Sequence, residues 1–243
     1  MNYQYSAEFA REMDEKDSLS HFRDRFLFPK VDGKDAIYLC GNSLGLQPKS
    51  SKDYIAKELS NWAEMAVDGH FHGEDAWMFA KQKSKPALAE IVGAHEHEVI
   101  AMNNLSVNLH LLMVSFYQPT KDRYKIIVEA GAFPSDQYML ETQVKFHGLD
   151  PEAAIVELSP RKGEHTLRTE DILAEIRKQG DSLAMVNMAG LQYYTGQVFD
   201  MKAITAAAHE VGAYAGFDLA HAVGNAPLSL HDWDVDFATW CSY

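Results

Sequence analysis

Cysteine is scarce in this 243-residue chain: Cys40 and Cys241 are its only thiols. Two cysteines so far apart do not make a disulfide framework, and a reducing, cytoplasmic setting is the expectation. Basic residues are also in short supply. Lys and Arg total 22 against 35 Asp and Glu, for a formal net charge of -13 and a pI near 5.2. Nucleic acid and anionic membranes both reward basic patches, so neither is an expected partner. No apolar run approaches the roughly 20 residues of a membrane span. The acidic start MNYQYSAEFAREMDEKDSLSHF has no signal-peptide core. Repeats and low-complexity tracts are lacking as well. G-x-G-x-x-G, G-x-x-x-x-G-K-S/T and G-x-S-x-G do not occur, so dinucleotide, P-loop and hydrolase-elbow readings lose their main support. The His95-Glu96-His97-Glu98 run lacks the i, i+4 pair of a helical zinc site and reads as a solvated turn. No metal is expected.

What is present is apolar residue in quantity, 47% of the chain, enough for a substantial core. Residues 6–28 read as helix with polar breaks, 37–39 as a short strand, 48–67 as helix and 68–75 as loop. A further helix over 77–93 is interrupted or kinked by Pro86. Strand and helix then alternate. Strands are predicted at 99–102, 125–129, 154–158, 183–188, 215–219 and 237–242. Helices are predicted at 106–117, 134–147, 169–179 (capped by Thr169) and 201–211. Alternation of this kind implies βαβ units, a mainly parallel sheet, and ligands at the carboxyl ends of the strands.

The unusual residues lie at those ends. Asn103-Asn104-Leu105-Ser106 joins a strand to a helix start, where free N–H groups and a hydroxyl attract phosphate; an ordinary N-cap serine is the plainer alternative. Ala132-Phe133-Pro134-Ser135-Asp136 offers an aromatic face for a flat ring and an acid at a helix start; a core Phe at a helix start is equally open. Asp218 closes an apolar strand, with His221 three residues on. A carboxylate there is costly unless paired. Paired with a pyridinium nitrogen, it would keep pyridoxal phosphate protonated and make it a better electron sink; otherwise it caps the segment that follows. A second strand runs to Trp240-Cys241-Ser242-Tyr243, where a Schiff-base lysine is expected next.

Together these segments resemble the kynureninase family. The resemblance runs through YLCGNSLGLQPKS (38–50), DGHFHG (68–73), NNLSVNLHLLMVSFYQPT (103–120), AFPSD (132–136), YYTGQVFD (193–200) and FDLAHAVGNAPLSLHDWDVDFATWCSY (217–243). It implies an α/β, aspartate aminotransferase-like fold of type I. The sheet would be mixed but mostly parallel and flanked by helices, with part of a smaller domain: residues 1–60 the N-terminal segment, 61–243 the large cofactor domain, incomplete at its end. It further implies a cytoplasmic homodimer that uses pyridoxal 5'-phosphate to hydrolyse L-kynurenine, or its 3-hydroxy form, to the corresponding anthranilate and L-alanine.

Residue by residue, the resemblance gives Leu105 and Ser106 to the phosphate, Phe133 to the ring face, and Pro134, Ser135, Asp136 and Ala189 to the cofactor surround. Asp218 would take the ring nitrogen, His221 would assist, and Tyr243 would serve the phosphate and proton transfer. Ser43 and His70 would lie near the substrate. The family continues with the lysine immediately after Tyr243, so the natural protein is expected to extend further. Three positions depart from common family residues: Ser106 for Thr, Ala189 for Ser and Gln192 for His. A cysteine desulfurase or selenocysteine lyase of the same fold is the nearest alternative, and a non-catalytic fragment is the other.

Overall fold

The computed structural model describes residues 3–243. The chain divides into two compact units, Met1–Met78 and Phe79–Tyr243; the expected division at 60/61 falls inside a helix.

The first unit carries helix α1 (Ala7–Lys16), capped by Ser6, whose side chain accepts the Phe9 N–H at 3.2 Å. A two-strand hairpin follows, β1 (Lys30–Val31) and β2 (Lys34–Asp35). Its turn residues Asp32 and Gly33 both have positive φ, as a tight primed turn requires. Helix α2 spans Ser51–Met65, and a 3₁₀ segment, Ala66–His70, continues from it. The strand expected at 37–39 is absent. Ile37 and Leu39 are exposed, and no neighbouring strand pairs with them; Tyr38 instead donates its hydroxyl to the Leu44 carbonyl at 2.6 Å.

The second unit begins with α3 (Ala80–Val92), which retains Pro86 inside it. Helix α4 (Leu105–Phe116) comes next. Then β3 (Lys125–Glu129), α5 (Pro134–Phe146), the short α6 (Pro151–Ala154), β4 (Ile155–Leu158), α7 (Thr169–Gln179), β5 (Leu183–Ala189), α8 (Met201–Glu210), β6 (Tyr214–Asp218) and β7 (Phe237–Thr239) follow in order. The strands form one sheet in the order β4-β3-β5-β6-β7. Every pair is parallel, so the sheet in this chain is not mixed. The strand expected at 99–102 is also irregular. Val99 is buried while Ile100 and Met102 are exposed, and an apolar run of four cannot by itself distinguish strand from packed coil.

Two apolar layers cover the sheet. Leu109 and Met113 of α4 and Met139, Leu140 and Val144 of α5 pack on Ile126, Val128, Met185 and Phe237. Ile172 and Ile176 of α7 and Ile204, Ala207 and Ala208 of α8 pack on Ile127, Val186, Met188 and Phe217. The helix after β3 thus lies on one face and the helix after β5 on the other. Because β3 and β5 are neighbours, their carboxyl ends form the crevice where the winding reverses, the usual place for a ligand in such sheets. Packing near it is close. A Cβ on Gly216 would stand 2.0 Å from the Phe237 ring, and one on Gly190 2.3 Å from Leu219.

Candidate active site

Three asparagines build the entry to α4. Asn103 has φ +47°, a left-handed turn that asparagine tolerates. Asn104 is the cap: its side chain accepts the Val107 N–H at 3.0 Å. Asn108 donates to the Met102 carbonyl at 2.7 Å and accepts from Asn103 at 3.1 Å. Ser106 is therefore not the N-cap; it sits inside the first turn, beside Leu105. Among the described residues, no protein acceptor takes the N–H of Leu105 or Ser106, and both residues line a cavity of about 160 Å³. Similarly, Thr169 begins α7 but Arg168 occupies the cap position.

The rest of that cavity comes from the ends of β3, β5, β6 and β7. Phe133, Ser135 and Asp136 enter from the start of α5, Ala189 from the end of β5, and Leu191 and Tyr193 from the turn after it. Asp218 ends β6, Ala220 and His221 follow it, and Cys241 and Tyr243 follow β7. Residues far apart in sequence are thereby gathered around one space. Pro134 does not line it but holds the first position of α5, where its missing N–H costs nothing. Phe133 is half-exposed, in edge contact with Tyr193 at 5.2 Å. His221 and Tyr243 have ring centroids 6.2 Å apart. Ser43 and His70 belong to the first unit, where His70 meets Trp77 edge-on at 5.1 Å.

The electrostatics centre on three buried acids: Glu129 (2% exposed), Asp136 (4%) and Asp218 (7%). Among the described residues, no Lys or Arg lines the cavity. Burial pushes Asp136 up to about 8, helped by the neighbouring Asp218 charge and the hydrogen bond between the two; the Ser135 hydroxyl at 3.2 Å opposes this. Asp218 is also raised by burial, against the stabilising effects of Asp136, the Ala220 N–H at 2.7 Å and the nearby His221. Glu129 rises to about 7, chiefly from burial, although its carboxyl accepts its own N–H and that of Ala189. Tyr243 is pushed up to about 12 by burial first and then by Cys241, so its phenol stays protonated and can donate. The capping alternative for Asp218 is thus realised through Ala220, alongside its position on the cavity wall.

Residues 37–242 match the class-V aminotransferase family model. The chain belongs to the class-V aminotransferase family. It is similar to kynureninases: 57% identical to that of Flavobacterium johnsoniae over all of this chain and 57% of the relative, and 50% identical to that of Mus musculus over 96% of this chain and 53% of the relative. The chain thus spans little more than half the length of these curated relatives. A solved cysteine desulfurase of Escherichia coli matches with a TM-score of 0.67 at 15% identity, over 91% of this chain and 53% of that one. The apo cysteine desulfurase of Thermococcus onnurineus matches with a TM-score of 0.61 at 16% identity, over 99% and 54%. At such identities the likeness is one of fold, and the fold is the type I, aminotransferase-like one.

Sequence reasoning did not single out Glu129, Leu191, Tyr193, Ala220 or Cys241. Glu129 carried a usable signal, an acid closing the apolar strand KIIVE as Asp218 closes its own. Gln192, noted only as a departure, ties the turn after β5 together. Its amide donates to the Gly131 carbonyl at 3.0 Å, and its carbonyl accepts from Tyr194 at 2.6 Å and Thr195 at 2.9 Å.

Proposed function

We propose that the protein carrying this chain is a pyridoxal phosphate enzyme that hydrolyses L-kynurenine or 3-hydroxykynurenine to the corresponding anthranilate and L-alanine. We further propose that it works in the cytoplasm as a homodimer on a small-molecule substrate, without nucleic-acid or membrane partners. No helix among the described residues is long and apolar enough to cross a membrane. The observation that carries the reading is the gathering of Leu105, Ser106, Phe133, Asp136, Asp218, His221 and Tyr243 around one cavity, in a chain 50–57% identical to kynureninases.

The donor set fits the cofactor. The buried acids Asp136 and Asp218 are matched by a protonated ring nitrogen, which offsets the burial cost of Asp218. The open first turn of α4 and the Ser106 hydroxyl suit a phosphate, and Ser106 in place of Thr keeps that hydroxyl. Phe133 supplies an aromatic face. Ala189 in place of Ser removes a side-chain contact but keeps its backbone N–H, which is engaged by Glu129.

When bound, pyridoxal phosphate supplies an electron sink for carbanion chemistry. The chain's own part is positional and electrostatic. Asp218 holds the proton on the ring nitrogen. Asp136, sharing a hydrogen bond with Asp218, orients that carboxylate. Tyr243, protonated at neutral pH, donates toward the phosphate and is placed for proton transfer at the substrate. Ser43 and His70 are assigned to the substrate by the resemblance, which also sets the Schiff-base lysine immediately after Tyr243.

The test is product analysis with the full-length protein and added pyridoxal phosphate. Anthranilate fluorescence with equimolar alanine from L-kynurenine is expected. Alanine formed from cysteine or selenocysteine, with sulfide or selenide released on reduction by an added thiol and no anthranilate from kynurenine, would replace this reading with the desulfurase one.

A further inference from the structure

Glu129 stands apart from the residues assigned above. It ends β3 at the point where the winding reverses. Both its carboxyl oxygens lie near the Ala189 N–H, at 3.2 and 3.3 Å. Ala189 lines the cavity that holds Asp218, whereas Glu129 itself lines a second cavity of about 310 Å³ with Gly131, Gln192, Tyr193 and Phe199. Its side chain thus forms part of the wall between the two spaces. A buried acid held by its own N–H and that of Ala189 is an expensive way to fix a strand end, since an amide carbonyl would accept the Ala189 N–H without the cost of burying a charge. What the amide cannot supply is a charge that changes.

We propose that Glu129 is a positioning residue for the cofactor cavity, fixing the end of β5 through Ala189 and lending the Asp136–Asp218 pair a negative charge when a cationic ring is seated. The proposal rests on the cofactor reading above. The titratable groups around Glu129 are Asp218 from β6, Asp136 from α5 and, across the second cavity, His165, Tyr193 and Tyr194. Three acids buried together raise the cost of one another's ionisation while the cavity is empty. A pyridinium ring lowers the cost of each negative charge, so Glu129, raised to about 7 when the cavity is empty, gives up its proton as the ring enters. Proton balance is simple: the carboxyl O–H breaks and the proton leaves to buffer.

The experiment uses the full-length apoprotein and pyridoxamine 5'-phosphate, which carries ring and phosphate but cannot condense with a lysine. Its dissociation constant is measured from pH 5.5 to 8.5 for the wild type and Glu129→Gln. Glutamine mimics the protonated acid, so the two should bind about equally at pH 5.5, diverge as pH rises toward 7 and hold a constant difference above it, with the variant about 3- to 10-fold weaker at pH 8.5. A ratio that stays constant with pH marks a merely structural role and overturns the proposal. Should the variant fail to fold, calorimetry of the wild type at pH 7 in buffers of different ionisation enthalpy replaces it. Net proton release on binding is expected, and none overturns the proposal. Absence of binding in the wild type at every pH removes the cofactor reading itself, an outcome distinct from binding that ignores Glu129.

Discussion

At the scale of single residues, the sequence was most informative where an unusual side chain closes a strand or opens the helix after it. Asp218 was legible at a strand end, and Ser106, Phe133 and Asp136 at helix starts, and all four line the cavity. Glu129 was less legible, because its hydrogen-bond partner lies 60 positions away, the Ala189 N–H, which no local pattern encodes. On the proposed reading Ser106→Ala removes one charge-assisted hydrogen bond to phosphate, worth roughly 1.5–3 kcal/mol. Cofactor affinity, measured by equilibrium dialysis, should fall by about one to two orders of magnitude while the substrate KM of fully loaded enzyme stays close to wild type. Tyr243→Phe keeps the ring and removes the donor, so kcat should fall on the order of 10²-fold with only a modest loss of cofactor. An unchanged kcat would leave Tyr243 without a part in proton transfer.

At the scale of elements, βαβ alternation made most of the second unit readable, to within a few residues at each end. The failures at 37–39 and 99–102 share a cause. Short apolar runs satisfy burial equally well as strand or as packed coil, and whether a partner strand lies alongside is a tertiary fact. Caps were misassigned for a related reason: Ser, Thr and Asn all suit the start of a helix, and only the turn geometry set by Asn103 and Asn108 makes Asn104 the cap of α4. Asn104→Ala should therefore cost about 1 kcal/mol of stability, read from the urea midpoint. It should also weaken phosphate binding several-fold, because the α4 N-terminus that faces the cavity loses its anchor. Gly216→Ala forces the Phe237 ring to move. It should destabilise by about 1–3 kcal/mol, the usual cost of overpacking, and loosen β7, whose extension carries Cys241 and Tyr243.

For the molecule as a whole, the buried acids set a pH dependence. Glu129 and Asp136 are raised from ordinary carboxylate values to about 7 and about 8. The folded apoprotein therefore keeps protons that the unfolded chain has already lost between about pH 4.5 and pH 8. Stability must fall as pH rises through that window, by an amount on the order of a few kcal/mol. Urea denaturation of the apoprotein at pH 5 and pH 8 checks the sign; a midpoint that rises toward pH 8 contradicts it. Adding the cofactor should flatten the dependence, because the ring cation replaces the protons. The parallel sheet was legible from the alternation of strand and helix, whereas its order was not, since alternation does not say which strand lies next to which.

The most direct test of the account is the affinity of the full-length protein for pyridoxal phosphate with Asp218→Asn beside the wild type. Asparagine preserves shape and the Ala220 contact but cannot hold a proton on a ring nitrogen by charge. At least a tenfold loss of affinity at pH 8 is expected, in a protein that folds as well as or better than its parent. Equal affinity in the two proteins would mean that the cavity does not receive the ring as described.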